Sequence, residues 1–90
     1  MSVERIRRNP DMAWRTFEDQ GVVLNLDSGK VIGLNGVAAR IWELLENDTT
    51  VEEIAERISS EYSVSLAEAR TDAGEFVESL RSKGLLCVAE

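Results

Sequence analysis

The side chains that most often carry out catalysis are scarce in this sequence. Its 90 residues include no histidine, so the commonest general base and the commonest metal ligand are both missing. The single cysteine, Cys87, stands in the apolar run 85–88, without the base and the electropositive surroundings that activate a thiol. One thiol also cannot build a thiolate metal site. We therefore predict no catalytic residue, no metal site and no cofactor.

The acidic side chains could in principle supply acid–base pairs, but their spacing is that of helix surfaces. Glu52, Glu53 and Glu56 are one, three and four residues apart, and Asp72, Glu75 and Glu78 follow one another at intervals of three. Such arrays are typical of solvated helix faces. The sequence also lacks a phosphate-binding glycine loop, because Gly33 and Gly36 are not followed by the rest of such a motif. These features favour a binding protein over an enzyme.

Charge limits the classes of partner. The chain carries 17 acidic and 10 basic side chains, a net charge of −7. Residues 41–90 hold 12 of the acidic groups and only four basic ones. Such a surface repels phosphate backbones and favours neutral or basic partners. A solvated helical surface would show the same composition, and the two interpretations are compatible.

Length and composition predict one domain in the cytoplasm. Ninety residues can bury one modest core. No stretch of 18 apolar residues occurs, and the N-terminus lacks the apolar segment of a signal peptide. We expect residues 1–11 to form a flexible basic arm that ends near Pro10, and residues 12–90 to form the folded domain.

The first half of that domain has the pattern of an antiparallel meander. Bulky and β-preferring residues fill three short segments, 13–17, 22–26 and 30–34. In the second segment Val22, Leu24 and Leu26 share one face by their period of two. Gly29 marks the tight turn before the third strand.

At Asn35 the apolar period changes to that of helices. Asn35 is a good N-cap, and Thr50 and Ser65 each begin a capping box closed by a glutamate three residues later. Three helices are expected, from about residue 36 to 47, 51 to 60 and 66 to 82. Gly84 suits the C-terminal cap of the third helix, and residues 85–88 should pack back onto the core. Strands followed by helices indicate the α+β class.

Three motifs in order resemble the PqqD family, which is named for a protein of pyrroloquinoline quinone biosynthesis. The first is the stretch from Asp27 to Leu45, with a turn glycine, a short strand, Leu-Asn and then Ile-Trp-Glu-Leu-Leu. The second is Thr50-Val51-Glu52-Glu53-Ile54, and the third runs from Phe76 to Leu86. The resemblance covers about residues 12–88.

The resemblance implies a winged helix-turn-helix-like recognition element for ribosomally made, modified peptides. Such an element binds the leader segment of a precursor peptide and delivers it to a modifying enzyme, of the radical-SAM or lasso-peptide type. The leader would add as a strand beside the third strand, at Lys30, Val31, Ile32, Gly33 and Leu34. The resemblance also implies that the bound leader packs against the third helix, here at Arg70, Ala73, Gly74, Val77 and Arg81.

The sequence leaves several features of this site open. Gly74 costs about 1 kcal/mol in a helix interior relative to alanine, so a close approach by a ligand or by another element would explain it. Arg70 and Arg81 could pair with acidic leader residues or with glutamates of their own helix, such as Glu78. Trp14 and Trp42 are expected in the core.

Two other functions remain as alternatives. The protein could be a scaffold that binds only the partner enzyme and not the leader. It could also be a winged-helix DNA-binding protein, with basic residues at positions 5, 7 and 8. The acidic residues of the third helix, such as Glu68 and Asp72, argue against DNA.

Overall fold

The computed structural model describes residues 4–18 and 20–89. Three strands form an antiparallel meander in the order β2 (Met12–Phe17), β3 (Gln20–Asn25) and β4 (Val31–Leu34). Three helices follow, α1 (Gly36–Leu44), α2 (Val51–Tyr62) and α3 (Leu66–Ser82). The predicted α+β fold, with a three-stranded antiparallel sheet followed by three helices, is confirmed.

The turns and caps form where the sequence places them. Gly29 has φ +74° in the turn between β3 and β4, and Gly84 has φ +74° just after α3. The side chains of Asn35, Thr50 and Ser65 accept hydrogen bonds from backbone N–H groups in the first turns of α1, α2 and α3. These polar caps satisfy amides that have no partner inside a helix. Each helix therefore begins at its predicted residue.

The N-terminal segment differs from the prediction. Residues 5–8 are not a flexible arm but a strand, β1 (Arg5–Arg8), which pairs antiparallel with β5 (Leu86–Ala89). Ile6 of β1 is only 1% exposed, and its N–H donates to Thr49 O at 2.7 Å. One buried apolar side chain and a ladder to the other end of the chain hold the segment in place. Both depend on residues more than 40 positions away, so the local basic composition did not reveal them.

The core lies between the helices and one face of the sheet. Its largest fully buried side chains include Trp42, Ile41, Leu45, Ile54 and Leu80. Trp42 is 0% exposed, as predicted. The prediction for Trp14 is wrong, since its side chain is 42% exposed and its ring stacks with the Arg8 guanidinium at 4.2 Å.

Within the described residues, no helix is long and apolar enough to cross a membrane. The same residues contain no group of three or more histidine, cysteine, aspartate or glutamate side chains that could hold a metal ion.

Candidate functional site

Strand β4 forms one edge of the meander. Among the described residues it pairs with β3 alone, while β2 forms the opposite edge. An edge strand has a row of backbone N–H and C=O groups that another extended chain can pair with. The sequence predicted the strand but could not show that it lies at an edge. The strand itself begins at Val31, and Lys30 lies just before it.

The ladder between β3 and β4 shows which amides of the edge are free. The N–H of Asn25 donates to Lys30 O at 2.9 Å, and the register pairs Leu24 with Val31 and Val23 with Ile32. Hydrogen-bonded and non-hydrogen-bonded pairs alternate along an antiparallel ladder. The N–H and C=O groups of Val31 and Gly33 therefore point away from β3, toward the open edge.

The side chains of β4 divide between the two faces of the sheet. Ile32 packs against the core and Leu34 is buried, whereas Val31 is 67% exposed on the opposite face. Gly33 is exposed on the same face as Val31, and a Cβ placed on it would meet no atom within 4 Å. Because a Cβ points out of the plane of the sheet, this space lies above the outer face at Gly33.

The start of β4 lies close to the end of α3. The Asn25 side-chain amide donates to Lys83 O at 3.3 Å and so joins the β3–β4 hairpin to the helix terminus. Between them is a depression of about 430 Å³, lined by Asn25, Ser28, Lys30, Val31, Ile32, Ser82 and Lys83. Its lining includes two lysines and two apolar residues and no acidic residue, and the Lys83 ammonium donates to Ser79 Oγ at 2.8 Å.

The predicted flank of α3 lies elsewhere. Gly74 and Val77 line a separate open groove of about 640 Å³, bordered by Val51 and by Arg70 and Arg81. Ala73 is buried, with 1% of its surface exposed. None of the residues of β4 lines this groove, and none of the predicted α3 residues lines the depression beside β4. The two halves of the predicted site therefore line different depressions of the surface.

The two arginines of that flank already have partners. Arg70 Nε donates to Glu52 Oε2 of α2 at 2.8 Å, and Arg81 pairs with Glu4 and lies 3.5 Å from Glu78. The hydrogen bond from Arg70 lowers the pKa of the Glu52 carboxyl below its ordinary value. The expected pairing within the helix is found for Arg81 with Glu78, whereas Glu52 belongs to α2 and Glu4 precedes β1.

Close packing by another element does not explain the glycine at position 74. A Cβ at this position would meet nothing within 4 Å, so no described part of the chain packs closely on it. Close approach by an outside molecule stays a prediction.

Sequence reasoning missed the residues at the end of α3. Ser82, Lys83, Asn25 and Ser28 line the depression beside β4, but none of them belonged to the predicted site. The only local signal was the basic residue after the helix. The contact depends on how the hairpin folds against that helix end, which no short-range pattern encodes.

These features describe a small α+β domain with an open strand edge next to a helix. The profile of the family "Coenzyme PQQ synthesis protein D (PqqD)" matches residues 20–86. The chain therefore belongs to the PqqD family. A comparison with curated protein sequences found no match.

Three solved structures resemble the chain. TbiB1 in complex with the TbiA(β) leader peptide is 35% identical, with a TM-score of 0.81 over 89% of this chain and 93% of that one. A lasso peptide synthetase B1 complexed with the leader peptide is 28% identical, with a TM-score of 0.78 over 91% and 96%. The PqqD part of PqqCD from Methylobacterium extorquens, a stand-alone recognition element for ribosomally made and modified peptides, shares the fold. It is 21% identical, with a TM-score of 0.75 over 92% and 88%.

Proposed function

We propose that this protein binds the leader segment of a ribosomally synthesised precursor peptide and delivers it to a modifying enzyme. The leader adds as a strand beside β4. The observation that carries this proposal is the open edge, where the N–H and C=O groups of Val31 and Gly33 point away from β3. Two relatives of 35% and 28% identity that are complexed with leader peptides support it.

The depression beside β4 gives the proposed leader a second wall. An added strand directs every other side chain toward the helix side of the sheet, where Ile32 offers apolar contact. Lys30 and Lys83 at this end favour a leader with an acidic residue there. Backbone pairing supplies affinity in this mode, while the side-chain pockets supply specificity.

The α3 flank with Arg70, Gly74 and Arg81 is a secondary part of the proposal. It lines a separate groove, so a leader that pairs with β4 reaches it only if the peptide continues around the helix. The open space at Gly74 leaves room for such a contact.

The proposed role is binding without catalysis, in the cytoplasm where ribosomes make the precursor. A lasso-peptide protease is the favoured partner enzyme, since the relative of 28% identity is a lasso peptide synthetase B1. A radical-SAM enzyme is the second choice, through the family named for PqqD.

Amide chemical shifts of the labelled protein, followed during titration with the leader from the same gene cluster, test this proposal. We expect the largest shifts at residues 30–34 and 82–83. A scrambled leader of the same composition is the control. Additional shifts at residues 70–81 would show that the leader also contacts the α3 groove. Shifts at 70–81 without shifts at 30–34 would show that the leader binds in that groove and not beside β4. Absence of any shift, together with binding to the enzyme, would indicate the scaffold function instead.

A further inference from the structure

The face of the meander that points away from the helices is apolar and uncovered by any described element. Strand alternation places Ala13, Arg15 and Phe17 of β2 on this outer face, opposite Leu24, Val22 and the polar Gln20 of β3. Val31 and Gly33 of β4 complete it. Phe17 is 51% exposed and Val31 is 67% exposed. A water-facing side of an antiparallel sheet is ordinarily polar, so this composition requires an explanation.

The apolar residues of the outer face are contiguous. The register aligns Ala13, Leu24 and Val31 in one row across all three strands. Together with Arg15 and Val22 they line a shallow depression of about 300 Å³. An apolar centre with an arginine and an aromatic residue at its border is the usual composition of a protein–protein interface.

We propose that the outer face of the meander is the docking surface for the peptide-modifying enzyme. Charge complementarity identifies the kind of partner surface. The paired residues of the outer face include one charged side chain, Arg15, and no carboxylate. Arg15 forms no ion pair within residues 4–18 and 20–89. The matching surface is therefore apolar with an acidic residue opposite Arg15. A second copy of the chain fits less well, because it would set its own Arg15 against a face that offers no acid.

This inference rests on the proposed function, because the leader strand extends the same surface. A strand added beside β4 lies in the plane of the sheet, and its alternate side chains join Val31 on the outer face. The enzyme then contacts the protein and the leader together. Since such coupling is reciprocal, the leader increases the affinity for the enzyme, and the enzyme increases the affinity for the leader by the same factor.

The test uses Val22→Glu, at a position 42% exposed on the central strand and not on the strand that pairs with the leader. Arg15→Glu is a second variant. Ala67→Glu adds the same charge on the exposed first turn of α3 and is the matched control. The probes are the purified modifying enzyme and the leader peptide from the same gene cluster, with both affinities measured by calorimetry for the full chain.

We expect Val22→Glu and Arg15→Glu to weaken enzyme binding at least tenfold and to change binding of the isolated leader less than twofold. Ala67→Glu should match the wild type in both. If Val22→Glu binds the enzyme with wild-type affinity, the outer face is not the docking surface. The proposal also fails if the wild type is a dimer and Val22→Glu is a monomer, because the face would then bind a second copy of the chain. If the wild type binds enzyme but no leader, and Val22→Glu abolishes enzyme binding, the docking surface stands while the leader proposal fails.

Discussion

Replacement of Val31 by proline tests strand addition at the level of one hydrogen bond. The Val31 N–H points to the open edge and takes no part in the β3–β4 ladder. Proline removes that donor, and edge strands tolerate it because no pairing within the sheet is lost. The variant should therefore fold normally and lose one backbone bond to the leader.

The expected size of the effect follows from the value of one hydrogen bond. A net contribution of about 0.5 to 1.5 kcal/mol corresponds to a rise in the leader Kd of roughly two- to twelvefold. Steric conflict between the proline ring and the added strand would increase it. Val31→Ala is the matched control, since it keeps the N–H and shortens the side chain that is 67% exposed.

Fluorescence anisotropy with a labelled leader peptide gives the two Kd values, and circular dichroism in urea checks that both variants are folded. Our reasoning predicts a higher Kd for Val31→Pro than for Val31→Ala. Equal affinities in two folded variants would refute strand addition at β4, whatever part of the surface the leader then occupies.

Three further predictions concern stability and pH. Gly74→Ala should raise the free energy of unfolding by about 1 kcal/mol in urea melts, because the added Cβ meets nothing and alanine favours the helix; a lower stability would contradict the open space. Gly21→Ala should lower it by about 1 to 3 kcal/mol, because the Cβ would lie 3.2 Å from the fixed Arg15 carbonyl oxygen, and an unchanged melting curve would show that the strand can move. The hydrogen bond from Arg40 lowers the pKa of the Glu61 carboxyl from its ordinary 4.5. This pair stabilises the fold above pH 4.5 and loses its effect as pH falls through the lowered pKa, so Glu61→Gln should cost up to about 1 kcal/mol at pH 7 and less in acid; a gap in unfolding free energy that is constant with pH would exclude the ion pair as its source.

The local features of this protein are determined by its sequence. The caps at Asn35, Thr50 and Ser65, and the positive φ of Gly29 and Gly84, depend on neighbours within a few residues. Period-two and helical patterns therefore predicted three strands and three helices in the right order. They also placed Val22 and Leu24 on the same face of a strand, but they did not show whether that face would point to the core or to solvent.

Only the tertiary structure decided the features that join distant parts of the chain. The β1–β5 ladder pairs Arg5 with Ala89, and a segment that looked like a loose arm became a strand. The edge position of β4, and its proximity to Lys83 rather than to Gly74, depend on how the hairpin packs on α3. Each of these features depends on contacts between residues that are far apart in sequence. Local periodicity specifies which face of an element is apolar, but the partner of that face is fixed only when the whole core packs.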